Sequence, residues 1–488
     1  MSLKKIFLNG MLWSFIQQFS TQLTSFIIQL VLVRFISPAE FGLVGMLAVF
    51  IGIGMALFDG GMTSSLIREN KSDDSDYSTI FYYNFICSIL VYLILYILAP
   101  IVAEFYNQQT LVKITRVYGL TFIFSAFGAV QNAILIKNMR FKSQAILTLP
   151  PLILGGIVGV FLAVNGFGVW ALVYSMLITS FLNSLLLWVF SNWKPSLTFN
   201  IVKFKYHFTY GYKMAISSIL DNIFTNIYSI VIGKLFNPIL VGYYTRANSL
   251  VMLPVGNISI VLNRVVFPLF SKVQNDIVAL KKLYKKIMQI VFFIISPAIA
   301  LMILLSREIV IILFSEKWLP IVPIFEILCI SGLIYPLHLY NLIILQVKGK
   351  SGLFLKLEIL KKVIIFSSIL ISIKYGFYGI LIGSVITSFI NLFINSHYAG
   401  EFIDYKMHNQ LIDLLPILFS AIIMYFIVHV FNDFTDKYSI ALKILSSSAI
   451  GIITYLLVSY IFKIQILMEI ILIIKNYGKR NEDLLPPN

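Results

Sequence analysis

The chain is 488 residues long, 59% hydrophobic and only 12% charged, with a mean hydropathy of +0.91. Soluble domains are about 45–50% apolar and about 25% charged, so an ordinary soluble enzyme, a disordered chain and a secreted disulfide scaffold are excluded. The net charge of +16, from 37 Lys and Arg against 21 Asp and Glu, reads here as loop charge beside a membrane; no nucleic-acid partner is expected.

A helix needs roughly 20 mostly apolar residues to cross a bilayer, with every backbone group bonded inside it. Such runs are predicted over 11–36, 42–66, 79–103, 111–136, 144–164, 168–190, 208–233, 239–270, 287–305, 319–345, 353–373, 376–398, 411–431 and 440–462. That gives about 14 transmembrane helices, and the runs are too long and too uniformly apolar for barrel strands. Lys4-Lys5 resembles the start of a signal peptide, but the apolar stretch after it is too long for one. Cys87 and Cys329 lie in separate apolar runs without CxxC spacing and read as small buried hydrophobes.

With the N-terminus inside, 25 of the 37 basic residues fall in inner segments and 9 in outer ones, while Lys213, Arg246 and Arg264 lie within spans. Both termini are therefore expected in the cytoplasm. The loops are too short to fold alone, so function belongs to the helices. The longest inner connection, 192–207, sets Trp193, Phe199 and Phe204 among Lys194, Lys203 and Lys205, as suits an amphipathic segment on the membrane surface. The basic stretch 272–286 reads as a solvated inner loop, with specific anionic-lipid binding as the other reading.

The chain also repeats itself. Arg34-Phe35-Ile36-Ser37-Pro38, then Phe41-Gly42, returns 200 residues later as Lys234-Leu235-Phe236-Asn237-Pro238, then Val241-Gly242. Asn132-Ala133-Ile134-Leu135 is echoed by Asn341-Leu342-Ile343-Ile344, and Gly166-Phe167-Gly168-Val169 by Gly376-Phe377-Tyr378-Gly379. Six spans per copy is an even number, so the copies share one orientation. The expected fold is an all-α membrane protein with two parallel, pseudo-symmetric six-helix lobes around a central cavity, plus two C-terminal helices. The lobes fall at 1–191 and 208–400, the linker at 192–207, the added helices at 401–465 and a cytoplasmic tail at 466–488.

Polar residues inside spans mark a cavity or a partner. Gln18 and Gln22 share one face of span one, and Asp59 ends span two beside Gly60-Gly61. Span seven carries Asp221, Asn222 and Asn226; span eight carries Arg246, Asn257 and Arg264, with Pro254 and Gly256 placed to act as a hinge. The polar set thus concentrates on helices that correspond under the repeat. Other readings stand beside the cavity: amides can bond helix to helix at about 0.6–2 kcal/mol, the arginines can snorkel, and Asp59 can cap a broken helix end. No metal-ligand spacing, phosphate loop or nucleophile elbow is found, so neither a metal nor a nucleotide is implied.

The stretches Ser37-Pro38-Ala39-Glu40-Phe41-Gly42-Leu43-Val44, Phe58-Asp59-Gly60-Gly61-Met62 and Gly242-Tyr243-Tyr244-Thr245-Arg246-Ala247, with Leu253-Pro254 and Phe267-Pro268-Leu269-Phe270-Ser271, resemble Wzx-type polysaccharide repeat-unit flippases. The similarity covers roughly the first 400 residues. It implies a non-enzymatic transporter in the bacterial cytoplasmic membrane, working by alternating access. The implied substrate is an undecaprenyl-diphosphate-linked oligosaccharide for surface polysaccharide or lipopolysaccharide. Membrane lipids, a polysaccharide polymerase and chain-length machinery are the implied partners. No cofactor is implied, and coupling to H+ or Na+ stays open, because span one carries glutamines where some relatives carry arginines. Two alternatives accompany this reading: a multidrug-type exporter from the same superfamily, which would want an acidic cavity, and a membrane glycosyltransferase or polymerase, which would want a larger outer loop.

Overall fold

A computed structural model describes residues 3–435, 437 and 439–472, with side chains from Leu12 onward except those at 257–265 and 435. Among the described residues there are helices and no strands. The first half runs α1 (Leu3–Phe35), α2 (Pro38–Asp59), α3 (Met62–Arg68), α4 (Asp74–Phe105), α5 (Thr110–Tyr118), α6 (Thr121–Lys137), α7 (Phe141–Val164) and α8 (Val169–Phe190). The second continues with α9 (Ile201–Thr225), α10 (Ile227–Leu235), α11 (Pro238–Lys272), α12 (Ile277–Leu304), α13 (Ser306–Phe314), α14 (Val322–Val347), α15 (Ser351–Ser372) and α16 (Gly376–Phe402). α17 (Met407–Thr435) and α18 (Ile440–Ile461) follow.

Eleven helical stretches among the described residues are long and apolar enough to cross a membrane, or 12 if α9 and α10, bent by 50° at Asn226, are one span. The expected fourteen requires Ser351–Phe402, which holds both α15 and α16, to be two crossings and the 35-residue α11 to be another. The exposed surface has the character of a lipid-facing one. Ile97 and Ile461 are each 71% exposed and Leu445 68%, and apolar exposure on this scale needs a non-aqueous neighbour. This is a multi-pass membrane protein.

The helices form two compact units, Met1–Thr245 and Arg246–Asn488. In the first, α7 packs on α1 and α8, α4 and α8 pack on α6, and α2 packs on α4 and α9. In the second, α14 packs on α12 and α16, α15 on α16, and α17 on α12 and α18. The sequence halves meet at residue 192, but the unit boundary falls inside α11. The reason is that α9 lies on α2, α3 and α4, and α10 on α2, which draws the start of the second repeat into the first unit.

One buried cluster of the first unit joins Met62, Leu66, Ile80, Phe81, Val130 and Ala133. The connection 192–207 docks onto it. Trp193 meets Tyr77 and Phe81 edge-on at 5.7 and 6.3 Å, and Phe204 lies 5.4 Å from Tyr83. Two of its three aromatics therefore face protein, whereas Phe199 is half exposed, and 201–207 already belong to α9.

Candidate functional site

The repeated Ser/Asn-Pro motif sets the geometry of the first unit. Ser37 caps α2 in a capping box: its Oγ accepts from Glu40 N at 3.4 Å, while Glu40 Oε2 accepts from Ser37 N at 2.9 Å and from Ser37 Oγ at 2.7 Å. Asn237 caps α11 with a single bond, its Oδ1 accepting from Leu240 N at 3.0 Å. Pro38 and Pro238 each open their helix, where a missing N–H costs nothing. Gly42 and Gly242, one turn on, bring the two helix starts into reciprocal backbone contact. A Cβ on Gly42 would lie 1.7 Å from Pro238 O, and one on Gly242 would lie 2.0 Å from Pro38 O. Residues paired by the 200-residue offset thus contact each other crosswise, as a local twofold demands.

Glu40 also links two motifs that are far apart in sequence. Its Oε1 accepts from Val169 N at 3.2 Å, so one carboxylate caps both α2 and α8. Gly168, at φ +56°, leaves the space this needs, since a Cβ there would sit 1.9 Å from Glu40 Oε1.

The expected site residues fall into distinct groups. Gln18 is exposed and Gln22 half-buried on α1, which packs chiefly on α7. Their side-chain amides make no hydrogen bond to other described residues, whereas Thr21 Oγ1 bonds back to Gln17 O at 2.8 Å. Asp59 accepts from Thr63 N at 3.3 Å and Thr63 Oγ1 at 2.7 Å. It thereby bridges the Gly60-Gly61 break and caps α3; of its two readings, the structural one describes its bonds. Asn222 donates to Ser218 O at 2.8 Å and rests its Oδ1 against Gly52 of α2. Asn226 donates to Asn222 O at 2.9 Å at the bend between α9 and α10. Asp221 is exposed beside them and has a bonding partner of its own. The structure therefore brings Asn222 and Asn226 together on the α9 side of α2 and places Asp59 at the end of that same helix.

In the second unit Arg246, Pro254 and Gly256 are half-buried along α11, which runs unbroken through Pro254. A Cβ on Gly256 would meet nothing within 4 Å. The side chains of Asn257 and Arg264 lie outside the described residues.

Two polar clusters escape the sequence reading. In the first unit His207 is fully buried, its Nδ1 2.8 Å from Ser65 Oγ and its Nε2 3.3 Å from Asp76 Oδ1. Asp76 also receives Lys203 at 3.2 Å, and Lys203 reaches Asp73 as well. The Lys203 ammonium beside Asp73 pulls that carboxyl down to about 2. Asn200 N donates to Thr79 Oγ1 and Ser196 N to Ser78 Oγ, each at 3.0 Å, so the start of the second repeat is clasped to α3 and α4. The signal was a short acidic run, Asp73-Asp74-Ser75-Asp76, among otherwise basic inner segments. In the second unit Tyr284 donates to Asn341 at 2.9 Å, Asn341 donates to Ser396 at 3.0 Å, and Lys285 pairs with Asp413 at 2.7 Å. Asn341 had been visible only as a repeat landmark. Among the described residues no group of His, Cys, Asp and Glu could hold a metal ion.

Over residues 31–323 the chain matches the family described as polysaccharide biosynthesis protein. The chain belongs to that family. Among other proteins of known sequence, this polysaccharide biosynthesis protein is similar to lipopolysaccharide biosynthesis protein WzxC of Escherichia coli K12, 23% identical over 402 residues and 81% of each chain. It is also similar to an uncharacterized membrane protein of the cps region of Klebsiella pneumoniae, 23% identical over 96% of this chain and 98% of the other. Among solved structures, lipid II flippase MurJ in an inward closed conformation superposes with a TM-score of 0.75 at 18% identity, covering 93% of this chain and 98% of that one. The fold is that of this solved structure.

Proposed function

We propose that the chain carries an undecaprenyl-diphosphate-linked oligosaccharide from the inner to the outer leaflet of the cytoplasmic membrane, for assembly of a surface polysaccharide or lipopolysaccharide. Membership of the polysaccharide biosynthesis family over residues 31–323 carries this reading. The name of WzxC and the flippase fold of MurJ support it. The physical need is plain. A diphosphate and several sugars would lose their hydration in hydrocarbon, so a polar path through helices has to replace that water. The unengaged amides of Gln18 and Gln22 offer donors and acceptors for sugar hydroxyls, and Arg246 and Arg264 of α11 offer cations for the diphosphate. In this reading Asn222, Asn226 and Asp221 add polar groups to the path, Asn257 is assigned to it from its place in the sequence, and Pro254 with Gly256 is the hinge. Both termini face the cytoplasm in this reading. The product on the outer face would pass to a polymerase and its chain-length machinery.

The multidrug-type alternative drew on Asp59 and Asp221 for an acidic cavity. The family match and the name of WzxC favour the polysaccharide reading over it. The test is deletion of the gene, followed by analysis of surface polysaccharide and of lipid-linked intermediates. Loss of the polymer with accumulation of the lipid-linked repeat unit is expected, with wild-type chain restoring export and Arg246→Ala failing to. Intact polymer in the deletion strain would reject the flippase reading.

A further inference from the structure

A cavity lies where α6 turns into α7 and the chain leaves α8. Its volume is about 210 Å³, with Arg140, Asn138 and Asn192 at its polar side and Leu147, Leu187 and Phe190 among its apolar walls. The turn is a tight one: Met139 takes φ +53°, its N–H bonds to Ile136 O at 3.0 Å, and Arg140 N bonds to Leu135 O at 2.9 Å. This geometry fixes the backbone that carries Arg140.

Arg140 is exposed at the mouth of this cavity, whereas its basic neighbours are engaged elsewhere. Lys137 donates to Ser72 Oγ at 2.6 Å and lies 5.6 Å from the Tyr77 ring, and Lys142 lies 5.3 Å from the Trp13 ring. The guanidinium of Arg140 and the side-chain amides of Asn138 and Asn192 have no hydrogen-bond or ion-pair partner among the described residues. Nor can the adjacent chain supply one, because the sequence holds no Asp or Glu between Glu104 and Asp221. A guanidinium and two amides beside apolar walls, at the ends of three membrane-crossing helices, match a phosphate group carried on acyl chains.

We infer that this cavity binds one anionic phospholipid of the surrounding bilayer, with its headgroup phosphate on Arg140 and an acyl chain against Leu147, Leu187 and Phe190. The volume suits a phosphate with its glycerol. The site does not depend on the flippase reading.

Native mass spectrometry of the purified full-length chain, in detergent with added phosphatidylglycerol or phosphatidylcholine, tests it. One phosphatidylglycerol should be retained at collision energies that strip phosphatidylcholine. Arg140→Ala should weaken that retention at least tenfold, and Arg140→Lys should restore part of it. Asn138→Asp combined with Asn192→Asp, which brings negative charge to the mouth, should also lose the lipid, with unchanged elution on size exclusion showing that the fold is intact. Equal retention by wild type and Arg140→Ala would overturn the site. So would equal retention of the zwitterionic lipid, which carries the same phosphate and would show that net negative charge is not selected, or displacement of phosphatidylglycerol by inorganic pyrophosphate at low concentration, which would mean a substrate headgroup site.

Discussion

Glu40, half-buried, fixes two helix ends at once. Its two oxygens close the capping box of α2 and cap α8, 129 residues away in sequence. Replacing it with Ala strands these donors at a cost of about 1–3 kcal/mol. Thermal unfolding of the purified protein should show a clear fall in midpoint for Glu40→Ala, and no change would refute the double cap. Met139 poses the opposite case. It holds the left-handed position of its turn, where Gly349 stands at φ +68° in the matching turn of the second repeat, with the same pattern of bonds. A side chain there is strained by about 1–2 kcal/mol, so Met139→Gly should leave stability unchanged or raise it by about 0.5–1 kcal/mol after glycine's own entropy is counted; a large loss would contradict the geometry. Asp73 supplies a pH dependence. Its carboxyl is held near 2 against an ordinary 3.8, by the Lys203 bond first. A depressed carboxylate stabilises above its unfolded value and loses that contribution as pH falls through its folded value. The stability gap between wild type and Asp73→Asn should therefore be constant from pH 8 to 5 and close between about 4 and 2. The gap should be small, since Asp73 is largely exposed.

Between elements, the tightest approach is the crossing of α2 and α11 at Gly42 and Gly242. Because the contact is reciprocal, Gly42→Leu and Gly242→Leu should be about equally harmful. Each forces apart two backbones that no rotamer change can relieve, since the obstructing atoms are carbonyl oxygens. A tolerated leucine at either position would disprove the crossing. Gly256 is the control on the same helix. It faces open space, so Gly256→Ala should gain up to about 1 kcal/mol in helix propensity. If α11 has to bend there during transport, the same variant should export less polysaccharide while melting higher; unchanged export would leave Pro254 as the sole hinge candidate. The crossing was visible in sequence as a repeated motif, but the repeat could not say that the two copies touch.

For the whole molecule, the biased placement of Lys and Arg gives the orientation to test. Green fluorescent protein fused after Asn488 should fluoresce, and alkaline phosphatase inserted between α4 and α5 should be active. The reverse pattern would invert the topology and put Arg140 on the outer face. The positions of most membrane-crossing helices, the repeat and the class of protein were legible from the sequence alone. These depend on local quantities: a span needs a run of apolar residues, and a repeat needs only self-similarity. Tertiary structure decided which polar groups are already engaged. Asp59 and Glu40 are both carboxylates near helix ends, yet one caps across a break four residues away and the other reaches α8. In the sequence His207 is a single histidine beside a linker; the fold sets Ser65 and Asp76 on either side of it. A buried hydrogen bond is made with whatever the fold brings near. That partner stands 131 residues away for His207 and 129 for Glu40, beyond what any local pattern in the chain encodes.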